Sequence, residues 1–322
     1  MLILTSRDLE EILDMRAVID AVERGLVEQA RGTVTMPPRH AIPIEEDGMT
    51  FVMTSYLAGM GSLAVKVVSN FRGNPKRDLP SITGAVLLLD RDSGMPVCLL
   101  DGAFITAMRT GATSALGARS LSVVDAQIAG IIGTGVQART QILGLWTVRD
   151  IQLVKAYSRD RENIRQFCQE MADQLGVEAL VADEAEEVVR GSDIVVTATS
   201  SRSPVLKGEW LEPGVHVNSI GGGPAFELDA EVYRRSRVVV DWREGVLEEA
   251  LDLRDAIAKK AFSPGRIHGQ LGELVAGMKM GRVDKDEITL FRSVGMALED
   301  AATATVAYQR ARESGLGQEV EL

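Results

Sequence analysis

Two groups of residues have the types and spacing to do chemistry, and both point to anions. The first is Gly133-Thr134-Gly135-Val136-Gln137-Ala138, a G-x-G-x-x-A run that follows a short apolar stretch. Gly133 permits a tight turn, Gly135 lets backbone approach a pyrophosphate, and Ala138 is small enough for a helix to pack on the preceding strand. The helix that starts there offers unsatisfied N–H groups and the positive end of its dipole to phosphate. By itself the hexapeptide also suits a glycine turn kept for packing. The second group is cationic. Lys66 interrupts Leu63-Ala64-Val65 and Val67-Val68, Arg109 sits among Ala107, Met108, Gly111 and Ala112, and Arg39 opens a strand after Pro37-Pro38. Charges in such surroundings need a partner or a ligand to offset desolvation. Converging, the three would suit a substrate carboxylate; singly, each is more often a surface or ion-paired residue. His40, His216 and His268 are isolated, no cysteine pair has ligand spacing, and no G-x-S-x-G elbow occurs, so neither a metal nor a serine triad is expected.

The elements that must position these residues fall into two textures. Leu2 to Leu4 reads as a strand, Thr5-x-x-Asp8 as a capping box, and Asp14 as the cap of a helix carrying Val18, Ile19, Val22 and Leu26 before Gly32. After Met36-Pro37-Pro38 the pattern becomes a meander: Arg39 to Ile44, Thr50 to Tyr56, Leu63 to Ser69, Ile82 to Asp90 and Pro96 to Leu100, with turns at Asp47-Gly48 and Gly73-Asn74-Pro75. Residues 102 to 121 are helical and bridge to a second domain. From there strands alternate with helices: Gln127 to Ile132, Ile151 to Tyr157, Ala179 to Ala182, Ile194 to Thr199, Val215 to Ile220 and Val238 to Asp241. Beyond Val240 the pattern is mostly helical, ending in the alanine-rich 301 to 311. The expected fold is α/β: a doubly wound parallel Rossmann sheet over 121–300, and an α+β substrate and dimerisation domain over 1–120 rejoined by 301–322. That alternation makes the glycine run a dinucleotide site rather than a packing turn.

Composition narrows the partners. Forty-six acidic residues against 35 basic ones disfavour a nucleic-acid surface, no apolar run reaches the length of a membrane span, and two distant cysteines suit a reduced cytoplasmic protein. The second strand of the dinucleotide unit runs into Ser158-Arg159-Asp160-Arg161, with Ser158 where a ribose-binding acid is usual. A hydroxyl followed by guanidinium groups suits a 2′-phosphate and favours NADP(H) over NAD(H). The competing reading leaves the arginines in solvent and gives the ribose to Asp160.

Lys66, the segment Gly73-Asn74-Pro75 to Leu79-Pro80-Ser81, Arg109-Thr110-Gly111-Ala112, Gly133-Thr134-Gly135, Val217-Asn218-Ser219-Ile220-Gly221, Gly272-Glu273, Gly281-Arg282 and Glu287-Ile288-Thr289-Leu290-Phe291 occur in order along nearly the whole chain. In combination they resemble the ornithine cyclodeaminase/mu-crystallin family. The resemblance implies a homodimer whose subunits move hydride between a nicotinamide and the α-carbon of a small amino or imino acid, as in alanine dehydrogenases, ketimine reductases and cyclodeaminases. It implies that Arg39, Lys66 and Arg109 hold the substrate carboxylate beside Met53, with Lys66 and Arg109 the catalytic pair. It further implies that Ser81, Thr83, Arg109, Thr110, Val136, Gln137, Thr199, Ser293 and Val294 join Gly133, Thr134, Gly135, Ser158 and Arg159 around the cofactor.

Two departures bear on function. Cyclodeaminases and the archaeal alanine dehydrogenase carry an aspartate in the loop after the fifth strand, whereas Gly221-Gly222-Gly223-Pro224-Ala225-Phe226-Glu227-Leu228-Asp229 has no acid before Pro224. Glu227 stands at a helix start, where capping or a structural role is expected of it. Phe51 stands where the archaeal alanine dehydrogenase has a basic residue, and makes that wall of the pocket more apolar. The expected activity is an NADP(H)-dependent reductase or dehydrogenase of an α-imino or α-amino acid. The rivals are an ornithine cyclodeaminase forming L-proline and ammonia, and a non-catalytic NADPH-binding protein of the mu-crystallin kind.

Overall fold

The computed structural model describes residues 1–44, 48–71, 73–222 and 225–321. Asp47 of the expected first turn, and Gly223 and Pro224 of the shortened loop, lie outside them. In chain order the elements are β1 (Leu2–Leu4), α1 (Ser6–Ile12), α2 (Met15–Ala30), β2 (Val34–Thr35), β3 (His40–Ile44), β4 (Gly48–Leu57), β5 (Ser62–Phe71), β6 (Ile82–Leu89), β7 (Pro96–Asp101) and α3 (Gly102–Leu121). There follow β8 (Ile128–Ile132), α4 (Val136–Val148), β9 (Leu153–Tyr157), α5 (Arg161–Leu175), β10 (Glu178–Val181), α6 (Ala185–Val189), β11 (Ile194–Thr197), β12 (His216–Ser219), α7 (Ala230–Arg235) and β13 (Arg237–Val240). The chain closes with α8 (Arg243–Glu249), α9 (Leu251–Ala258), β14 (Ile267–Gln270), α10 (Leu271–Val275), β15 (Thr289–Arg292), α11 (Ala297–Ser314) and β16 (Gln318–Glu319). It divides into two compact units, Met1–Arg109 with Met296–Leu322, and Thr110–Gly295. The division falls inside α3 and just before α11, so each boundary precedes the one read from sequence.

The first unit is one sheet and the helices against it. Its strands run β16-β1-β7-β6-β5-β4-β2, with β3 also paired to β4. The meander β3 to β7 is antiparallel as expected, while β1 joins parallel to β7. Thr5 and Asp8 form the reciprocal cap of α1, and Asp14 accepts from the Ala17 N–H to cap α2. The alanine-rich α11 packs on α2, β4, β5 and β6. Small side chains bring it close enough for direct bonds to the sheet: Ser55 Oγ donates to the Ala297 carbonyl at 3.0 Å and Ser62 Oγ to that of Ala301 at 2.9 Å. Alternation along the strands therefore buries Ala64, Lys66, Val86, Leu88, Cys98 and Leu100 on the α11 side. Burial in that setting pushes the Cys98 thiol up to about 12, so it stays protonated. The opposite residues, Leu63, Val65, Leu87, Leu89 and Leu99, are half-buried and Val67 is exposed.

The second unit is the doubly wound sheet, ordered β10-β9-β8-β11-β12-β15-β13-β14 and parallel throughout. The order reverses between β8 and β11, the switch point at which such sheets bind ligands. Two strands, β14 and β15, stand where the sequence reads as helix. β15 lies between β12 and β13, but only four residues long and ending in the buried Arg292, it lacks the apolar run by which an interior strand is recognised. Among the described residues no helix is long and apolar enough to cross a membrane.

Candidate functional site

In the first unit, strand register places Lys66 opposite Met53 on one side and Val86 on the other. Its side chain turns toward α11 and is 1% exposed. There Nζ meets Asp300 Oδ2 at 2.6 Å and donates to Thr106 Oγ1 at 3.4 Å. Arg109, one helical turn after Thr106 on α3, donates through Nε to Asp300 Oδ1 at 3.2 Å and through Nη1 to Glu299. The two cations expected to act together are thus brought together, but by two carboxylates that the sequence reading missed. Glu299 and Asp300 occupy the first turn of α11, where acids are common for dipole reasons alone; only their complete burial reveals them as partners. Burial is the main influence on Lys66 and pulls its ammonium down to about 8, against the opposing pull of Asp300.

The remaining substrate-side residues lie in the same unit. Arg39 precedes His40, which pairs with Val52, and its guanidinium lies over the Phe51 ring at 4.8 Å. The apolar wall residue is therefore also a cation–π partner. Met53 is buried. Thr83 is exposed on β6 opposite Ser69, and Ser81 precedes it. That segment is braced by Asn74, whose Nδ2 donates to the Pro80 carbonyl at 2.9 Å while its Oδ1 accepts from Arg77 at 2.6 Å.

In the second unit, Gly133 follows β8 with φ +99, a left-handed value suited to glycine. A Cβ there would stand 2.5 Å from the Ala198 carbonyl oxygen. Gly135 caps α4 with no side chain, and a Cβ at that position would meet nothing within 4 Å. Thr134 Oγ1 is buried without a hydrogen-bond partner among the described residues, as is Gln137 Oε1. Open space before a helix N-terminus, next to a threonine hydroxyl with a proton to donate, fits a dinucleotide pyrophosphate. Arg139, which the sequence reading passed over, braces the turn through Nη1 to the carbonyls of Thr134 at 3.1 Å and Gly135 at 3.2 Å.

At the end of β9, Ser158 is half-buried and Arg159 exposed. Asp160 uses Oδ1 to cap α5, accepting from the N–H groups of Glu162 at 3.0 Å and Asn163 at 3.1 Å. Arg161 is paired with Asp183 at 2.9 Å. Local roles thus occupy Asp160 Oδ1 and Arg161, and neither restores a ribose-binding acid at position 158.

Beyond the switch point two buried carboxylates gather the loops that follow the strands. Glu227 Oε1 accepts from the Thr199 N–H at 2.6 Å and Thr199 Oγ1 at 2.9 Å. Its Oε2 accepts from Thr197 Oγ1 at 2.8 Å, the Gly221 N–H at 2.9 Å and Ser219 Oγ at 3.0 Å. The cap of α7 is Asp229 instead, so Glu227 is structural without being a cap. Asp241 Oδ2 accepts from Ser293 Oγ at 2.8 Å and from the N–H groups of Val294 at 2.8 Å and Gly295 at 2.7 Å. Beneath both, wholly buried Arg292 meets Asp252 at 3.1 Å, and Tyr233 donates to the same carboxylate oxygen at 3.0 Å. His216 is fully buried between Thr289 and Asn218, and burial pushes its imidazole down to about 3, a neutral core histidine. Among the described residues no cluster could hold a metal ion.

A family model described as the ornithine cyclodeaminase/mu-crystallin family matches residues 1–315. A Delta(1)-pyrroline-2-carboxylate reductase of Bacillus cereus is 35% identical, with 100% of each chain covered. The solved structure of Thermococcus litoralis Delta(1)-pyrroline-2-carboxylate reductase in complex with NADH and L-proline is 45% identical, with a TM-score of 0.97 over 99% of this chain and 100% of that one. An archaeal alanine dehydrogenase, solved as a dimer with bound NAD, is 34% identical, with a TM-score of 0.94 over 100% of this chain and 99% of that one. On the match along almost its full length, the chain belongs to the ornithine cyclodeaminase/mu-crystallin family.

Proposed function

We propose that the chain is a nicotinamide-dependent reductase of cyclic α-imino acids, of the Δ1-pyrroline-2-carboxylate class, producing the corresponding α-amino acid. The observation that carries this reading is the buried pair Lys66 and Arg109, two cations presented by β5 and α3 and held at fixed positions by Asp300. Such a pair can grip a carboxylate by charge-assisted hydrogen bonds, and holding one reactant in place supplies much of a rate. The similarity to a reductase solved with NADH and L-proline supports the same substrate class. When bound, the nicotinamide supplies the hydride taken up at the C=N carbon. An imine already protonated in water needs no acid from the protein, which makes a loop without the family's aspartate tolerable. Glu227 offers no substitute partner for an ornithine ammonium, because both its oxygens are consumed by the neighbouring loops. Cyclodeamination is disfavoured accordingly.

Preference for NADPH is part of the proposal and rests on Ser158 and the exposed Arg159; the two solved relatives described above hold NADH and NAD. The test follows the nicotinamide absorbance with NADPH and NADH in parallel, against pyrroline-2-carboxylate, piperideine-2-carboxylate, and pyruvate with ammonia. Oxidation by the cyclic imines supports the reading. Inactivity with them, together with proline formed from ornithine, would replace it with cyclodeamination. Arg159→Ala is expected to weaken NADPH roughly tenfold, the scale of one lost charge-assisted contact, and to leave NADH nearly unchanged; equal effects on both would sink the assigned role.

The assembly proposed is a homodimer formed through the sheet face opposite α11, where Leu63, Val65, Leu87, Leu89 and Leu99 are half-buried and Val67 is 43% exposed. Apolar faces of this extent mark interaction surfaces. Sedimentation is expected to give a dimer for the parent chain and a monomer for Val67→Asp. A monomeric parent refutes the assignment.

A further inference from the structure

The geometry points to Glu227 as a positioning residue that sets affinity for the nicotinamide half of the cofactor by fixing two loops at the edge of the switch point. This inference rests on the dinucleotide reading above and is independent of which imino acid is reduced. Thr199 follows β11, and Gly221 follows β12. The first of these loops walls the glycine turn directly, since a Cβ on Gly133 would meet the Ala198 carbonyl and the Thr199 side chain. In a sheet wound this way the two halves of a dinucleotide lie on either side of the reversal in strand order. The β9 side carries Ser158 and Arg159; the β11 and β12 side is the one that Glu227 holds.

The carboxylate is required as a carboxylate. Each of its oxygens receives one backbone N–H, Thr199 on Oε1 and Gly221 on Oε2, besides the hydroxyls. Hydroxyl groups can turn to accept a hydrogen bond, whereas a backbone N–H cannot. An amide at position 227 would therefore point its NH2 at one of those N–H groups in either orientation, and the loop bearing that donor would lose its anchor. The platform itself is firm. The Glu227 carbonyl accepts from the N–H groups of Val205 at 2.8 Å and Leu206 at 3.1 Å, and a Cβ at Gly221 would lie 2.6 Å from the Glu227 carboxyl carbon. Only glycine at 221 admits so close an approach.

The test is calorimetric titration of the full chain with NADH and, separately, with ADP. For Glu227→Gln the dissociation constant for NADH is expected to rise about tenfold, the scale of one or two buried hydrogen bonds lost, and that for ADP to stay within about twofold. Equal weakening of both ligands would make Glu227 a general stability residue, and no weakening of either would deny it any role in binding; each result overturns the inference. Glu227→Asp keeps the charge but withdraws it by one methylene, and is expected to show the same selectivity if the glutamine variant does not fold. Hydrogen exchange on the unaltered protein gives an answer without any variant. The amides of Thr199 and Gly221 should be protected in the absence of nucleotide, and rapid exchange at both would likewise overturn the assignment. Failure of the parent chain to bind either NADH or NADPH would instead count against the cofactor reading.

Discussion

Lys66→Met is expected to lower turnover on the order of a thousandfold while leaving the dissociation constant for NADPH within about twofold of the parent value. The lysine belongs to the first unit, its partners Asp300 and Thr106 are in that unit, and no residue of the glycine turn depends on it. Methionine keeps the length and apolar volume of the stem, and Asp300 retains Arg109 as a partner. Single-turnover and binding measurements on the same preparation separate the two effects; equal loss of both would mean that Lys66 only holds the fold together. The pH dependence follows from the ammonium, which burial pulls down to about 8. Below that pH the side chain is charged and able to hold a carboxylate. Above it the charge is lost, so kcat/KM for the imino acid should fall as pH rises through 8. Arginine at this position should move the fall to higher pH, because its guanidinium stays charged. The same shift acts on stability. Between about 8 and the ordinary lysine value of 10.5 the unfolded chain holds a proton that the folded chain has released, so this group favours folding as pH rises through that window.

Removing the charge of Arg292 should cost more stability than any other single change discussed. The side chain is 0% exposed, as is Asp252, and Arg292→Met would leave that carboxylate buried with only neutral donors. Burial works against the guanidinium, but the combined field of Asp252, Tyr233 and Glu227 outweighs it, so its charge is held firmly. Breaking one side of such a pair costs about 3–5 kcal/mol, which a urea titration would read as a lower midpoint. Arg292→Met combined with Asp252→Asn should recover part of that loss, since no unpaired charge remains. If the single variant melts like the parent, the pair contributes nothing to folding.

Much of the architecture was legible because its signals are local. Periodicity marked the meander and the Rossmann strands through β13, the glycine run placed the switch-point turn, and the capping residues Thr5, Asp8 and Asp14 stand where they were expected. What escaped notice was long-range. Glu299 and Asp300 are two ordinary acids at a helix start until α11 folds back onto β5 and their carboxylates meet Lys66 and Arg109. Glu227 resembled a cap because the α7 N-terminus is two residues away, and only burial shows that it serves other loops. β15 was missed because an interior strand that carries a charged residue breaks the pattern by which interior strands are found. Lys66 and Arg109 were found for the opposite reason: an isolated cation in an apolar run is conspicuous by itself.

The interrupted course of the first unit bears on how the protein is made. Residues Thr110–Gly295 form one uninterrupted stretch that carries every strand of its own sheet, whereas the sheet made from Met1–Arg109 lacks α11 until Met296–Leu322 have emerged. For that interval the face later covered by α11 is bare, and Lys66 and Arg109 have neither Asp300 nor Glu299 beside them. Domains generally fold as units and N-terminal ones first during translation. Here Met1–Arg109 are made before Thr110–Gly295 yet completed only after them, and a chain that stops at Gly295 holds the whole second unit joined to an unfinished sheet.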